Sequence, residues 1–244
     1  MTEAADQIRS ESRSDESIST ALEVIDRCCD DPDCARNAEK LDVLQPLLDL
    51  LTTHGGSVRT RTLEILALLF SNNPNIQEAG MKRGAAKLCI GLTQESPVGS
   101  EERSKAFRAL VALVRNVQEF EKFLLAEEPG RALLVQCLSP EELPGTREKA
   151  ASFVRSLAEN GSMAPEHVKP LATALAALFP KLQEAGIQYK ETVSSCALQL
   201  STFKAECPPE LLSAVEARLK ELDEKDPEVE NEVSCLKQCA EALA

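Results

Sequence analysis

The sequence predicts an all-α protein built from repeats, and three observations carry that prediction. No segment alternates apolar and polar residues as a half-buried strand would. Glycine and proline cut the chain into amphipathic segments of helical length, and particular residues recur every 44 positions. Arg59, Arg103 and Arg147 fall in one column, and so do Arg61, Lys105 and Lys149. Leu66, Leu110 and Val154 form another, as do Leu69, Leu113 and Leu157, and Asn72, Asn116 and Asn160. A period of this length made only of helices belongs to armadillo or HEAT repeats, in which each unit hides its apolar face by stacking on its neighbours. The expected architecture is an all-α, armadillo/HEAT-like right-handed solenoid of about four repeats closed by helical caps.

Taken in order, residues 1–16 are polar and acidic and are expected to be a disordered tail. Segments 17–30 and 39–53 form an N-terminal cap. Between them Asp30, Asp31 and Asp33 mark a helix break at Pro32, because the glycine and terminal glutamate of a calcium loop are missing. In 57–71, Leu63, Ile65, Leu66, Leu69 and Phe70 share one face and leave Arg61, Glu64 and Asn72 on the other. Helices follow over 83–95, 100–115, 129–138, 144–159, 165–179 and 188–203, the last without the Arg and Asn signals, as terminal repeats often are. Two antiparallel helices, 208–223 and 227–243, close the chain; Pro208 and Pro209 start the first, and Asp226-Pro227 lies at their junction. Their apolar positions Leu212, Val215, Leu219, Val233, Leu236 and Cys239 are expected to pack on the final repeat, with pairing to a second copy as the alternative. Three segments result: a tail 1–16, a repeat body 17–205 and a C-terminal pair 206–244.

Composition removes several function classes. The chain carries 40 acidic and 27 basic residues, a net charge of −13, and the excess sits at its ends: −8 over 1–56 and −6 over 208–244, against +1 over 57–160. Aromatic residues are 3% of the whole with no Trp, so base-stacking surfaces have little to be built from and no nucleic-acid partner is expected. No apolar run approaches the roughly 20 residues of a membrane span, and the polar start is unlike a signal peptide. A cytoplasmic protein without membrane contact is therefore expected, and its nine cysteines read as small core residues and free thiols.

The chemistry-bearing residues are sparse. Cys28, Cys29 and Cys34, and the helical pair Cys235 and Cys239, lack the paired spacing of a structural zinc site, so no metal and no cofactor are expected. His54 lies in a turn and is expected to be solvated, and His167 is the only other histidine. No phosphate loop, dinucleotide fingerprint or nucleophile elbow is present, which argues against an enzyme and leaves no catalytic residue to name.

What remains is a surface. Each column Asn ends a helix, where its amide either closes the turn or joins a ladder on the concave wall of the stack; the two roles are compatible. Positions three and four apart place Arg61, Glu64, Leu68 and Asn72 on one helix and Lys105, Arg108, Ala112, Arg115 and Asn116 on the next. On the third come Lys149, Ser152, Ser156 and Asn160. The middle of this wall reads as basic and suits an acidic protein surface better than DNA, which the overall negative charge would repel.

Two stretches resemble a known family. LEILALLFSNNPNIQE (63–78), with Asn72-Asn73-Pro74 followed by Gln77, and KAFRALVALVRN (105–116) are similar to blocks of the armadillo-type nucleotide exchange factors of the seventy-kilodalton heat shock chaperone. LDVLQPLLDLL and PPELLSAVEARLKEL are in keeping with that layout, and the resemblance covers about residues 20–205. It implies a monomeric, non-enzymatic co-chaperone that clasps one lobe of the nucleotide-binding domain of a cytosolic seventy-kilodalton heat shock chaperone and promotes ADP release. Arg115 and Asn116 would be central contacts, with Asn72, Asn73, Arg108 and Asn160 beside them and Arg61, Lys105 and Lys149 on the same wall. The alternative is a general armadillo scaffold that binds an extended peptide or another protein along its groove.

Overall fold

A computed structural model describes residues 1–10, 14–29, 31–183, 185–223 and 225–244. The described residues are helical or in turns, with no strand among them. Two compact units divide at 117/118, inside the expected repeat body and away from the 205/206 boundary.

The first unit contains α1 (Thr2–Arg9), α2 (Asp15–Cys29), α3 (Pro32–Arg36), α4 (Leu44–Thr53), α5 (Gly56–Phe70), α6 (Pro74–Lys82), α7 (Ala85–Glu95) and α8 (Glu101–Val114). Helix α1 corrects the expected disordered tail. Ala4, Ala5 and Ile8 make a short apolar stripe, all three are buried, and α1 packs on α2 and α4. Residues 11–13 of that tail, and Asp30 of the expected helix break, lie outside the described residues. Asp31 caps α3 by accepting a hydrogen bond from the Asp33 backbone N–H at 2.9 Å, and Pro32 takes the first helical position. Helix α8 lies along both α5 and α7.

The second unit holds α9 (Gln118–Ala126), α10 (Glu128–Cys137), α11 (Pro144–Glu159), α12 (Val168–Ala176), α13 (Ile187–Ser201), α14 (Pro209–Glu221) and α15 (Glu230–Leu243). Here α13 packs on α11 and α15, and α14 on α12 and α15. Periodicity alone passes over α6 and α9, each nine residues long, because helices so short show few turns of their apolar stripe. In α6 a glycine also interrupts the stripe for a packing reason. A Cβ at Gly80 would come within 2.7 Å of the Phe70 ring and 2.9 Å of Leu113.

The 44-residue period is kept by packing rather than by identity. Leu63, Phe107 and Ala151 occupy one column, Ile65, Ala109 and Phe153 another, and all six are fully buried. Where one column carries Phe the other carries Ala, so the pair of positions keeps roughly its volume from repeat to repeat.

The column arginines have a shared job that their spacing alone did not assign. Arg59 Nε donates to the His54 carbonyl at 2.8 Å, Arg103 to the Thr93 carbonyl, and Arg147 Nη1 to the Pro140 carbonyl at 3.3 Å. Each acceptor lies at or just beyond the end of the preceding helix, where carbonyls lack intrahelical donors. His54 itself is half-buried at the end of α4, with Nδ1 2.8 Å from the Thr53 hydroxyl, rather than fully solvated as expected.

In the C-terminal pair the buried stripe of α14 is Leu211, Val215 and Arg218; Leu212 and Leu219, expected inside, are half-buried. The charged member of that stripe is matched on α15. Arg218 Nε donates to Glu232 Oε1 at 2.8 Å, both side chains are almost fully buried, and Glu221 adds a second acceptor at 3.2 Å.

Candidate functional site

Helices α5 and α8 lie side by side, so the wall read from the sequence can be built first in this unit. Arg61 donates to Asp26 of α2 at 2.6 Å and to Glu64 one turn on at 3.1 Å. Glu64 also accepts from Lys105 of α8, which lies 3.8 Å from Glu101. Acids and bases therefore alternate across three helices, and Arg61 and Lys105 are neutralised where the sequence suggested a basic face. Partial burial pushes the Glu64 carboxyl up, but the hydrogen bonds and charges of Lys105 and Arg61 outweigh it and hold the group below its ordinary value.

The alternation breaks at Arg108. It stands 44 residues after Glu64, is exposed, and has no ion-pair partner among the described residues. On α5, Leu68 leaves half its side chain in water, with a relative exposure of 50%. Asn72, a turn further, is exposed as well. The unit thus presents one apolar side chain, one cation without a counter-ion among the described residues and a terminal amide on two packed helices.

The asparagines earn their column through the backbone. After α5 the chain makes a type II turn in which Ser71 has φ −63° and ψ 115°, Asn72 has φ +53°, and Asn73 N–H donates to the Phe70 carbonyl at 3.3 Å. After α8 the turn repeats, with Arg115 at φ −63° and ψ 140° and Asn116 at φ +66°. A left-handed residue is required there and Asn tolerates it. Asn116 is exposed and Arg115 half-buried.

Asn73 points the other way. It is 8% exposed, and its Nδ2 donates to the Ala35 carbonyl at 3.1 Å, tying the start of α6 to α3. Gln77, one turn later and 2% exposed, donates to the carbonyls of Ala112 at 2.9 Å and Arg115 at 3.0 Å, closing the open end of α8.

The second unit treats the same columns differently. Lys149 is half-buried on α11. Asn160 keeps a helical backbone at φ −79°, and Gly161, at φ +68°, takes the left-handed position one residue later. Its amide is turned onto its own unit, donating to Glu121 Oε1 at 3.2 Å and lying 3.4 Å from the Ser156 hydroxyl. Glu121 is fully buried and also accepts from the Ser162 hydroxyl at 2.5 Å. Gln77 and Glu121 are 44 residues apart, a column that sequence reading missed although its spacing was there to be found.

No catalytic constellation forms around these residues. Burial pushes the Cys89 and Cys196 thiols up to about 12, which keeps them protonated near neutral pH. None of the nine cysteines is paired in a disulfide, and among the described residues no group of three or more His, Cys, Asp or Glu side chains could hold a metal ion. Among them, too, no helix is long and apolar enough to cross a membrane.

Known structures place this arrangement. A designed armadillo repeat protein superimposes with a TM-score of 0.76 at 17% identity, over 100% of this chain and 99% of that one. Another, in complex with the peptide (KR)4, gives 0.78 at 17% identity over 98% of both chains. The chain has the armadillo fold. SYS-1 also superimposes, with a TM-score of 0.60 at 13% identity over 97% of this chain and 47% of that one. No family model matches the sequence. The chain is also similar to the Hsp70 nucleotide exchange factor FES1 of Candida glabrata, 29% identical over 121 residues. That match takes in 49% of this armadillo chain and 42% of the relative, so the chain spans less than half of the relative's length.

Proposed function

We propose that the protein is a nucleotide exchange factor for a seventy-kilodalton heat shock chaperone, a cytoplasmic co-chaperone that binds the chaperone's nucleotide-binding domain and speeds release of ADP. The observation that carries this reading is the similarity to an Hsp70 nucleotide exchange factor. It is supported by the Asn72-Asn73-Pro74…Gln77 block and the α8 stretch that ends in Arg115-Asn116. The work is done by binding alone. An exchange factor shifts its partner toward the open, nucleotide-free state only to the extent that it binds that state more tightly than the ADP-bound one.

In this reading the outward face of α5 and α8 is the contact. Leu68 meets an apolar patch, Arg108 a carboxylate, and Asn72, Arg115 and Asn116 supply hydrogen bonds. Arg61 and Lys105 hold the face in shape through Glu64, and Asn73 supports Asn72 from behind. The test is the release of a fluorescent ADP from a seventy-kilodalton heat shock ATPase. The wild type should accelerate it, and Arg108→Glu should weaken that action about tenfold by setting like charges face to face. Unchanged release in the presence of the wild type sinks the reading.

A second reading, an armadillo scaffold for an extended peptide, is favoured by the structural match to a designed armadillo protein in complex with a peptide. Peptide binding without any effect on ADP release would select it.

A further inference from the structure

A cavity of about 210 Å³ lies in the second unit, on helices other than those that carry the candidate site. Leu125 of α9, Leu134 of α10 and Leu171 of α12 line it, and all three are buried. Ala132 of α10 forms part of its half-exposed wall. Its volume falls below the roughly 300 Å³ at which pockets for drug-sized ligands begin, so a single apolar side chain is the occupant that fits.

The charge around it has one sign to spare. Arg131 is committed, because its Nη1 donates to the carbonyls of Leu125 at 2.7 Å and Ala126 at 2.8 Å while Nη2 pairs with Glu128. Glu166, on the turn before α12, is exposed and has no ion-pair partner among the described residues. An apolar floor beside an unmatched carboxylate selects against acidic partners and for a cation next to the buried group. His167 is the remaining polar lining residue and is half-buried.

We propose that this cavity is a docking site for an extended segment of a partner protein in which a leucine-sized side chain is followed by Lys or Arg, the apolar group entering between α10 and α12 and the cation facing Glu166. The proposal is independent of the exchange reading and uses none of its residues.

The test is a titration of the isotope-labelled full chain, followed by amide chemical shifts, with N-acetyl-Leu-Arg-amide, N-acetyl-Leu-Glu-amide and N-acetyl-Ala-Arg-amide. Leu-Arg should shift amides of α10 and α12. Ala-Arg should bind about tenfold more weakly for its missing apolar area. Leu-Glu should bind about threefold to fivefold more weakly than Leu-Arg, the scale of one exposed ion pair. Glu166→Lys, on an exposed turn that leaves the core untouched, should reverse the preference between the two charged probes, and Ala132→Phe should fill the cavity and abolish the shifts. No shifts in α10 and α12, equal shifts from all three probes, or an unchanged preference in Glu166→Lys overturns the proposal.

Discussion

The two compact units answer one architectural question in opposite ways. Each must close the open end of its 44-residue repeat, and each does so from the same column in the first helix of that repeat. In the first unit Gln77 donates to the backbone carbonyls of Ala112 and Arg115. In the second Glu121 accepts from the side chains of Asn160 and Ser162. The polarity of the joint is inverted, and with it the fate of the column asparagine. Asn72 and Asn116 take the left-handed turn themselves, whereas Asn160 gives the turn to Gly161 and spends its amide on Glu121. A repeated residue therefore marks a repeated position, and its role follows from the neighbour it is given.

Exchanging the two joints is the strongest way to break this comparison. Gln77→Glu would bury a carboxylate against two carbonyls and should cost about 3 kcal/mol or more, read as a lowered urea midpoint, with lost hydrogen-exchange protection centred on α6 and α8. Glu121→Gln keeps one oxygen acceptor for the Asn160 and Ser162 donors and should cost only about 1–2 kcal/mol, centred on α9 and α11. Equal costs would mean that the joints are not opposite in polarity.

The turns come next. Asn116→Val puts a β-branched residue at φ +66° and should destabilise the first unit by about 1–2 kcal/mol, while Asn116→Gly should be neutral or better. Asn160→Val meets no such strain at φ −79° and should lose the hydrogen bond to Glu121 and the longer one to Ser156, about 1 kcal/mol. Denaturation midpoints of the three variants decide it.

The smallest effect is the one with a pH signature. The Glu64 carboxyl is held below its ordinary value by Lys105 and Arg61 despite partial burial, so its contribution is fully present above the unfolded-state value of about 4.3 and is lost as pH falls through the folded one. Glu64→Gln should lower stability by about 0.5 kcal/mol at neutral pH and by nothing in acid, with the gap narrowing at high salt. The later positions of that column carry no acid, being Arg108 in the same unit and Ser152 in the second.

Much of the fold was legible because helix amphipathicity and the period agree: the column leucines, the arginines and the helix-ending asparagines were all in view before the structure. What escaped had physical reasons. Helix α1 rests on Ala4, Ala5 and Ile8 within a polar stretch, and α6 and α9 are too short to display a clear stripe. Arg218 hid the true inner face of α14, because a cation on an apolar stripe reads as surface unless its buried partner Glu232 is known. The candidate wall was legible as a set of residues and illegible as a charge. Asp26 neutralises Arg61 from 35 positions away in sequence, a contact that no pattern along one helix can reveal.

The paired columns Leu63-Phe107-Ala151 and Ile65-Ala109-Phe153 carry a consequence for how such a chain can change. Each repeat keeps the common length but has a private filling: two branched aliphatic side chains in the first, and in the next two a ring at one site matched by a methyl two residues away. Recombination that trades whole repeats would carry both members of a pair and preserve the register, and would still fail inside unless the adjoining repeat were shaped to receive them.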